Sequence, residues 1–364
     1  MRALASSPAD HRRPRRLRLM IVDDSVIARA VLTRMIEADG GFEIAAVAGT
    51  AEAAIDTLAE IHVDIVLLDL EMPGAGGLKS IPAILRAARG AQVMIVSSMA
   101  EEGAEETVAA LALGAADTLP KPGTGRFNGR FSEVLLARLR ALGPAEATDR
   151  RQPRTTTSSP LAASPMLRAM PSEPLQLLAL GASTGGIHAL GTFFQNLPRR
   201  IGAPILVTQH LPPAFMTVFA RQLGVSAGRP ALVAKDGMAL AADILIIAPG
   251  DAHLTIEGGT AGPIVRLTRT AVPSGCMPSV DPMFAAAGRL FGAGALGVVF
   301  SGMGRDGVEG ASALVISGGA VLAQDEASSA VWGMPRMIAE GGLAAAILPP
   351  DKLARRVASR CGPC

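Results

Sequence analysis

Residues 63–77 read VDIVLLDLEMPGAGG. A short apolar run, VDIVLL, ends on a carboxylate, Asp69, and the chain then passes through Met72-Pro73 and Gly76-Gly77. Runs of the same kind lie on both sides of it. LRLMIV (17–22) precedes Asp23, Asp24 and a helix-like pattern from Val26 to Glu37; FEIAAVA, QVMIV (92–96) and ADTL (116–119) complete the series, with Ala-rich amphipathic segments between. Apolar runs of strand length alternating with segments of helical period give five strand–helix units, the pattern of a doubly wound parallel sheet.

Residues 142–174 break the alternation. They hold six prolines, a Thr/Ser run and scattered arginines without periodicity, which reads as a flexible linker. From Leu175 the alternation resumes: LQLLAL (175–180), APILVTQ (203–209), ADILIIAP (242–249), PIVRL and ALGVVF (295–300) read as strands, GGIHALGTFFQNL and PSVDPMFAAAGRLF as helices. The expected fold class is therefore α/β with two doubly wound domains. A basic arm (1–16) precedes a (βα)5 domain (17–141); the linker (142–174) leads to a larger, Rossmann-like parallel-sheet domain (175–360).

Composition narrows the function classes. With 49% apolar and 18% charged residues among 364, a sizeable core forms and wholesale disorder is excluded. Tyr is absent and Trp occurs once, so stacking platforms for single-stranded nucleic acid are few, and a net charge of +2 calls for no polyanionic partner. The basic charge is local, in HRRPRRLR (11–18), and reads as a solvated arm. A signal peptide needs an apolar region after such a run, and LMIV goes straight into Asp23 and Asp24. No apolar stretch approaches about 18 residues, so no membrane insertion is expected. Three cysteines, two of them in the terminal CGPC (Cys361 and Cys364), fit a reducing, cytoplasmic setting. That tail has the spelling of a redox pair but no following chain to form the helix such chemistry needs.

In an open parallel sheet the strand C-termini gather at one crevice, so Asp23, Asp24 and Asp69 should converge there. Three carboxylates supply hard oxygen ligands for Mg²⁺ and one nucleophile for a phosphoryl donor. Ser97 ends the fourth strand and Lys121 follows the fifth, where a hydroxyl and an ammonium could meet phosphoryl oxygens. Singly, such an Asp is most often a helix cap and such a Lys a surface residue. In this order, with Ser97-Ser98 and Lys121-Pro122, they resemble the receiver domain of two-component response regulators over residues 17–140. The resemblance implies that Asp69 is the phosphoacceptor and that a histidine kinase is the phosphodonor. It also implies that Asp24, Asp69 and the Glu71 backbone carbonyl hold Mg²⁺, with Asp23 acting through water, and that Ser97 and Lys121 sense the phosphoryl group. The chain departs from that pattern at Thr118, where receivers often carry an aromatic residue.

The second domain opens on Gly181-Ala182-Ser183-Thr184-Gly185-Gly186, a strand-to-helix turn. A serine there can be a helix N-cap, and such turns commonly hold a nucleotide phosphate, but the dinucleotide fingerprint would put its second glycine at Ser183. A nucleophilic serine needs a base. His11 lies in the arm and His62 in the first domain; His188 points away along the following helix; His253 lies beyond a turn. His210 terminates APILVTQ and should share the crevice with Ser183. Asp251, Asp281 and Asp306 are candidates for the orienting acid, and Asp306 sits in the glycine-rich loop SGMGRDG directly after ALGVVF. Ser183, His210 and Asp306 are three strand-end residues of the types a Ser-His-Asp triad requires. Their chain order differs from the Ser, Asp, His order of the α/β-hydrolases.

GASTGG, QHLPPAF with FARQL, IAPGDAHL, PSVDPMF, SGMGRDG and AQDEASSAVWGMP occur in that order from about Leu175 to Arg356. Together they resemble the methylesterase domain of the chemotaxis response regulator CheB, and the receiver–linker–esterase order matches throughout. The resemblance implies a phosphorylation-activated protein-glutamate methylesterase and protein-glutamine deamidase acting on methyl-accepting chemoreceptors. Ser183 would be the nucleophile, His210 the base and Asp306 its orienter, with the Thr184 and Met303 backbone N–H groups as oxyanion hole and no cofactor for the ester chemistry. The alternative is a response regulator whose output domain binds a nucleotide or partner without catalysis, which would show in the loss of a triad member. A DNA-binding output module would need a compact helix-turn-helix with clustered basic residues, which the second domain does not resemble.

Overall fold

The computed structural model describes residues 15–73, 76–97, 101–121, 129–143, 167–260 and 262–361; the side chains of 97, 101, 102 and 130 are not among the described parts. Most of the basic arm, residues 144–166 and Cys364 lie outside the described residues.

The first domain runs β1 (Leu17–Val22), α1 (Val26–Glu37), β2 (Phe42–Ala48), α2 (Ala51–Glu60), β3 (Ile65–Leu68), α3 (Gly77–Ala87), β4 (Gln92–Ser97), α4 (Glu101–Ala112), β5 (Asp117–Pro120) and α5 (Gly129–Leu142). Its sheet has the order β2-β1-β3-β4-β5, with every neighbouring pair parallel. β3 is buried at all four residues, which is why IVLL is apolar throughout rather than alternating. Ser25 and Thr50 cap α1 and α2, accepting from Ala28 N–H and Ala53 N–H.

The second domain runs β6 (Leu177–Ala182), α6 (Gly186–Asn196), β7 (Ile205–Gln209), α7 (Pro213–Ala227), β8 (Ala231–Val233), β9 (Leu245–Ile247), β10 (His253–Gly259), β11 (Gly262–Thr268), α8 (Val280–Phe291), β12 (Ala295–Val299), α9 (Val308–Ile316), β13 (Ala320–Gln324), α10 (Met334–Glu340), β14 (Ala344–Leu348) and α11 (Pro350–Ala358). Seven parallel strands take the order β14-β13-β12-β6-β7-β9-β8. The reading of two parallel-sheet α/β domains holds. PIVRL differs from the other runs: it falls in β11, which pairs antiparallel with β10 in a separate hairpin.

Successive residues of β6 point to opposite faces. Leu178 and Leu180 join the cluster of α6, α7 and α11 that includes Phe193, Phe219 and Leu353, while Leu177 and Ala179 join that of Met283, Phe284 and Leu314. β6 pairs with β7 on one side and β12 on the other, so the strand order reverses there and the crevice lies beyond its C-terminus.

The domains are packed together. α4 lies on α6 and α7, and Val108, Leu111 and Ala115 belong to the same apolar cluster as Ile187 and Phe215. Arg221 pairs with Glu105 at 2.6 Å, Gln222 Nε2 donates to Glu105 O at 3.2 Å, and His188 Nδ1 lies 3.1 Å from Ala112 O. Residues 167–174 run against the second domain, with Arg168 donating to Gly342 O and Ala344 O. Among the described residues no helix is long and apolar enough to cross a membrane.

Candidate active site

Ser183, His210 and Asp306 each follow a strand (β6, β7 and β12 in turn), and the structure brings them together. His210 Nδ1 lies 3.1 Å from Ser183 Oγ, and His210 Nε2 lies 2.9 Å from Asp306 Oδ2. An ionised Asp306 can only accept, so Nε2 carries the proton and Nδ1 presents its lone pair to the serine hydroxyl.

Asp306 is almost fully buried, 1% exposed, which alone would favour its neutral form. Hydrogen bonds from His210, Ser279 Oγ at 2.5 Å and Val280 N–H at 2.7 Å outweigh burial and hold its carboxyl well below the usual carboxylate range, and Ser274 Oγ donates to it as well at 2.7 Å. Ser279 is the N-cap of α8 and Val280 its first residue, so the carboxylate sits at a helix N-terminus.

Ser183 is not a helix cap. That position is Gly185, at φ 75°, where a Cβ would lie 2.5 Å from the Ala330 Cβ; only glycine fits. Gly302 is the second such place, since its Cβ would come within 2.7 Å of the Ser183 Cβ. This close approach brings the backbone just before Met303 against the serine. Ser301 Oγ donates to Thr184 O at 2.8 Å and accepts from Val331 N–H at 3.0 Å, tying the two loops together.

The other candidates take other parts. Asp251 is an exposed partner of Arg269 at 2.7 Å. Asp281, in the first turn of α8, accepts from Gly310 N–H at 2.7 Å; burial, with the Asp306 charge beside it, pushes its carboxyl up to about 6. His253 is fully buried: Nδ1 accepts from Ser279 N–H at 2.9 Å and Nε2 donates to Thr270 O at 3.0 Å, so it steadies the residue that holds Asp306. His188 is exposed on α6, and His62 lies 3.7 Å from Asp64 in the first domain. The sequence reading missed Ser274, Ser279 and Asp117. Ser279 carried a usable signal, because Ser-Val-Asp before an apolar helical pattern is an N-cap spelling.

Asp117 belongs to the first domain yet reaches this site. Its Oδ2 accepts from Thr184 Oγ1 at 3.2 Å and its Oδ1 pairs with Arg138 at 2.9 Å; burial nevertheless raises its pKa. Ala116 O accepts from Gly185 N–H at 2.6 Å. The space left between Leu111, Ala116 and Asp117 on one side and Ser183, Thr184 and His210 on the other is about 10 Å³, room for one water at most. Ser183 and His210 keep intermediate exposure, so the receiver crowds one side of the serine without sealing it.

The acidic cluster of the first domain also forms. Asp23, Asp24 and Asp69 present oxygens within 4.8 Å of one another. Lys121 Nζ lies 2.6 Å from Asp69 Oδ2 and 2.9 Å from Asp23 Oδ2. Burial raises the Asp69 pKa, with Asp23 adding to it and Lys121 opposing; burial pulls Lys121 down, but its bonds to Asp69 and Asp23 leave it raised. Glu71 N–H donates to Asp69 Oδ1 at 3.2 Å, and Ser97 closes β4, its side chain outside the described parts. Thr118 is buried, and its hydroxyl has no partner among the described residues.

A CheB methylesterase family model matches residues 178–357, and a response regulator receiver domain model matches residues 19–126. The protein-glutamate methylesterase/protein-glutamine glutaminase 2 of Caulobacter vibrioides is 40% identical over 347 residues, covering 94% of this chain and 99% of that protein. The corresponding enzyme 1 of Paramagnetospirillum magneticum is 36% identical, covering 93% of this chain and 94% of its own. Among solved structures, the Thermotoga maritima CheB methylesterase catalytic domain is 31% identical, covering 51% of this chain and 98% of that one, with a TM-score of 0.49. With a receiver domain ahead of the matched esterase domain and relatives alike over nearly the full length, the chain belongs to the CheB methylesterase family.

Proposed function

We propose that this phosphorylation-regulated protein-glutamate methylesterase and protein-glutamine glutaminase works by two-step acyl transfer at Ser183, on chemoreceptor side chains, with a histidine kinase as phosphodonor. The observation that carries the mechanism is the position of His210, between Ser183 Oγ at 3.1 Å and a buried, ionised Asp306 at 2.9 Å. Ser183 Oγ attacks the γ-ester carbonyl as its proton passes to His210 Nδ1, and Asp306 stabilises the imidazolium. The oxyanion is taken by the Thr184 and Met303 N–H groups. Collapse expels methanol, protonated from Nδ1. A water then gives its proton to the same nitrogen, attacks the acyl-enzyme and releases glutamate and free Ser183. On a glutamine amide the leaving group is ammonia.

In the receiver, Asp69 is the phosphoacceptor. Asp23, Asp24 and Asp69 form a hard-oxygen set that fits Mg²⁺, with the Glu71 carbonyl completing it. The ion, when bound, offsets the charge of the incoming phosphoryl group. Lys121, which neutralises Asp69 before modification, and Ser97 then contact the phosphoryl oxygens. Breaking the Lys121–Asp69 pairing is the local change that shifts the receiver from its covering position.

Incubation with methyl-labelled receptor membranes tests the reading. Methanol release should rise on adding acetyl phosphate and vanish with Ser183→Ala. Release by the Ser183→Ala protein at the parent rate would exclude the mechanism.

A further inference from the structure

Cys276 has no part in the acyl-transfer scheme, yet it stands beside it. Its Sγ, a His210 ring nitrogen and an Asp306 carboxylate oxygen all lie within 4.8 Å of one another. The thiol is half-buried in the loop before α8, where Cys276 N–H donates to Ser274 Oγ at 3.4 Å, the same hydroxyl that donates to Asp306. Thiol, imidazole and carboxylate are a borderline-soft N/S/O ligand set. Such a set suits zinc and not Mg²⁺, which prefers oxygen alone.

We propose that His210, Cys276 and Asp306 form an inhibitory Zn²⁺ site with water as a fourth ligand. The proposal rests on the acyl-transfer reading for its effect on turnover, but not for binding. Zinc bond lengths of about 2.0–2.3 Å place tetrahedral ligands about 3.3–3.8 Å apart. Cys276 therefore moves inward by up to about 1 Å, and the 2.9 Å His210–Asp306 pair opens slightly.

The proton balance gives the mode of inhibition. Zinc takes the Nε2 lone pair, so the imidazole proton moves from Nε2 to Nδ1. Cys276 loses its thiol proton to solvent and binds as thiolate. One proton is released per ion. The nitrogen facing Ser183 then carries a hydrogen and cannot accept the serine proton. Zinc blocks the enzyme by fixing the wrong tautomer of its base, without touching the serine.

Because Cys276 binds as thiolate and gives up its proton, binding should tighten as pH rises.

The experiment uses the full chain carrying Cys361→Ser and Cys364→Ser, with excess Mg²⁺ to compete at the receiver carboxylates. Zn²⁺ is titrated by calorimetry in buffers of different ionisation enthalpy, and methanol release is followed in parallel. One ion per chain, release of about one proton and matching loss of turnover are expected. Cys276→Ser should weaken zinc binding and inhibition tenfold or more and leave metal-free turnover within twofold. Co²⁺ should give a thiolate charge-transfer band that the same variant abolishes. Zinc affinity unchanged by Cys276→Ser, or binding without proton release, would overturn the site. Cys276-dependent binding in a protein that releases no methanol would uphold the site and count against the esterase mechanism instead.

Discussion

Thr184 Oγ1 donates a hydrogen bond at 3.2 Å to Asp117 Oδ2 across the boundary between the two domains. Thr184 follows the proposed nucleophile, and Asp117 opens β5 of the receiver, so this contact joins the regulatory sheet to the loop of the proposed oxyanion hole. Asp117→Ala removes it without altering the esterase domain. A net hydrogen bond of about 1 kcal/mol corresponds to roughly fivefold in the docking equilibrium. Unphosphorylated full-length Asp117→Ala should release methanol roughly fivefold faster than the parent by that measure. Arg138 loses its partner as well, so the melting temperature is recorded alongside. Unchanged basal turnover in a folded variant would show that this contact does not hold the receiver closed.

Ser183→Ala should be inactive with nearly full stability. The cap of α6 is Gly185, and Ser183 accepts from Gly186 N–H and Gln209 Nε2 through its backbone carbonyl, which alanine keeps. The stability change should stay within about 0.5 kcal/mol. His210→Ala should be comparably inactive. Asp306→Asn should lose about 10⁴-fold, because an amide cannot hold the Nε2–H tautomer. A methanol-release assay beside a denaturant melt separates the two effects; an inactive but unfolded Ser183→Ala would leave nucleophile and scaffold undistinguished and would contradict the geometry.

Asp281 should give the second domain a pH-dependent weakness. Its carboxyl titrates near 6 in the fold and near 3.8 otherwise. The native state therefore holds a proton that the unfolded state has lost, and stability falls as pH rises from about 4 through about 6. Above that window the ionised Asp281 faces the ionised Asp306. Asp281→Asn keeps an oxygen for Gly310 N–H and removes the charge. The variant's melting temperature relative to the parent should climb between pH 4 and pH 7. A difference that is flat with pH would mean that burial and the Asp306 charge do not raise the Asp281 carboxyl.

The two parallel sheets were legible because their strands are unbroken apolar runs ending on polar residues, and IVLL and LLALGA are buried along their whole length. β13 and β14, built from AVLAQ and AAAIL, carried a weaker signal, since alanine suits a helix as well as a strand. PIVRL could not be told from a parallel strand because pairing direction leaves no mark on so short a run. Ser183, His210 and Asp306 were readable as strand-end residues, a local property. Ser274, Asp117 and Cys276 were not, because what brings each to the site is loop geometry or a second domain. Ser279 and His253 fall between: one spells a cap, and the other was seen as a histidine but not as the partner of Ser279 N–H.

Asp69→Asn should abolish labelling by acetyl phosphate in the presence of Mg²⁺, and chelation should abolish it in the parent. Lys121 would still pair with Asp23 at 2.9 Å, so the variant should fold and keep the low, unphosphorylated turnover. Mass spectrometry of the intact protein reads the phosphoryl adduct directly. An adduct persisting in Asp69→Asn would move the acceptor to another carboxylate of the cluster.

Removing residues 1–166 should raise basal methanol release and make it indifferent to acetyl phosphate. The boundary matters: Arg168 donates to Gly342 O and Ala344 O, so a cut beyond it would strip contacts from β14. The expected control is steric. With about 10 Å³ between the receiver and the Ser183–His210 pair, the receiver crowds one side of the serine, and a bulky receptor segment should gain access there when the receiver moves. A gradation should follow. Arg221→Ala breaks only the exposed pair with Glu105, worth at most about 1 kcal/mol, and should raise turnover no more than about fivefold. Full removal of the receiver should exceed that. If the isolated second domain is slower than the unphosphorylated parent, covering is not the means of control, and the receiver acts by bringing the receptor to the serine.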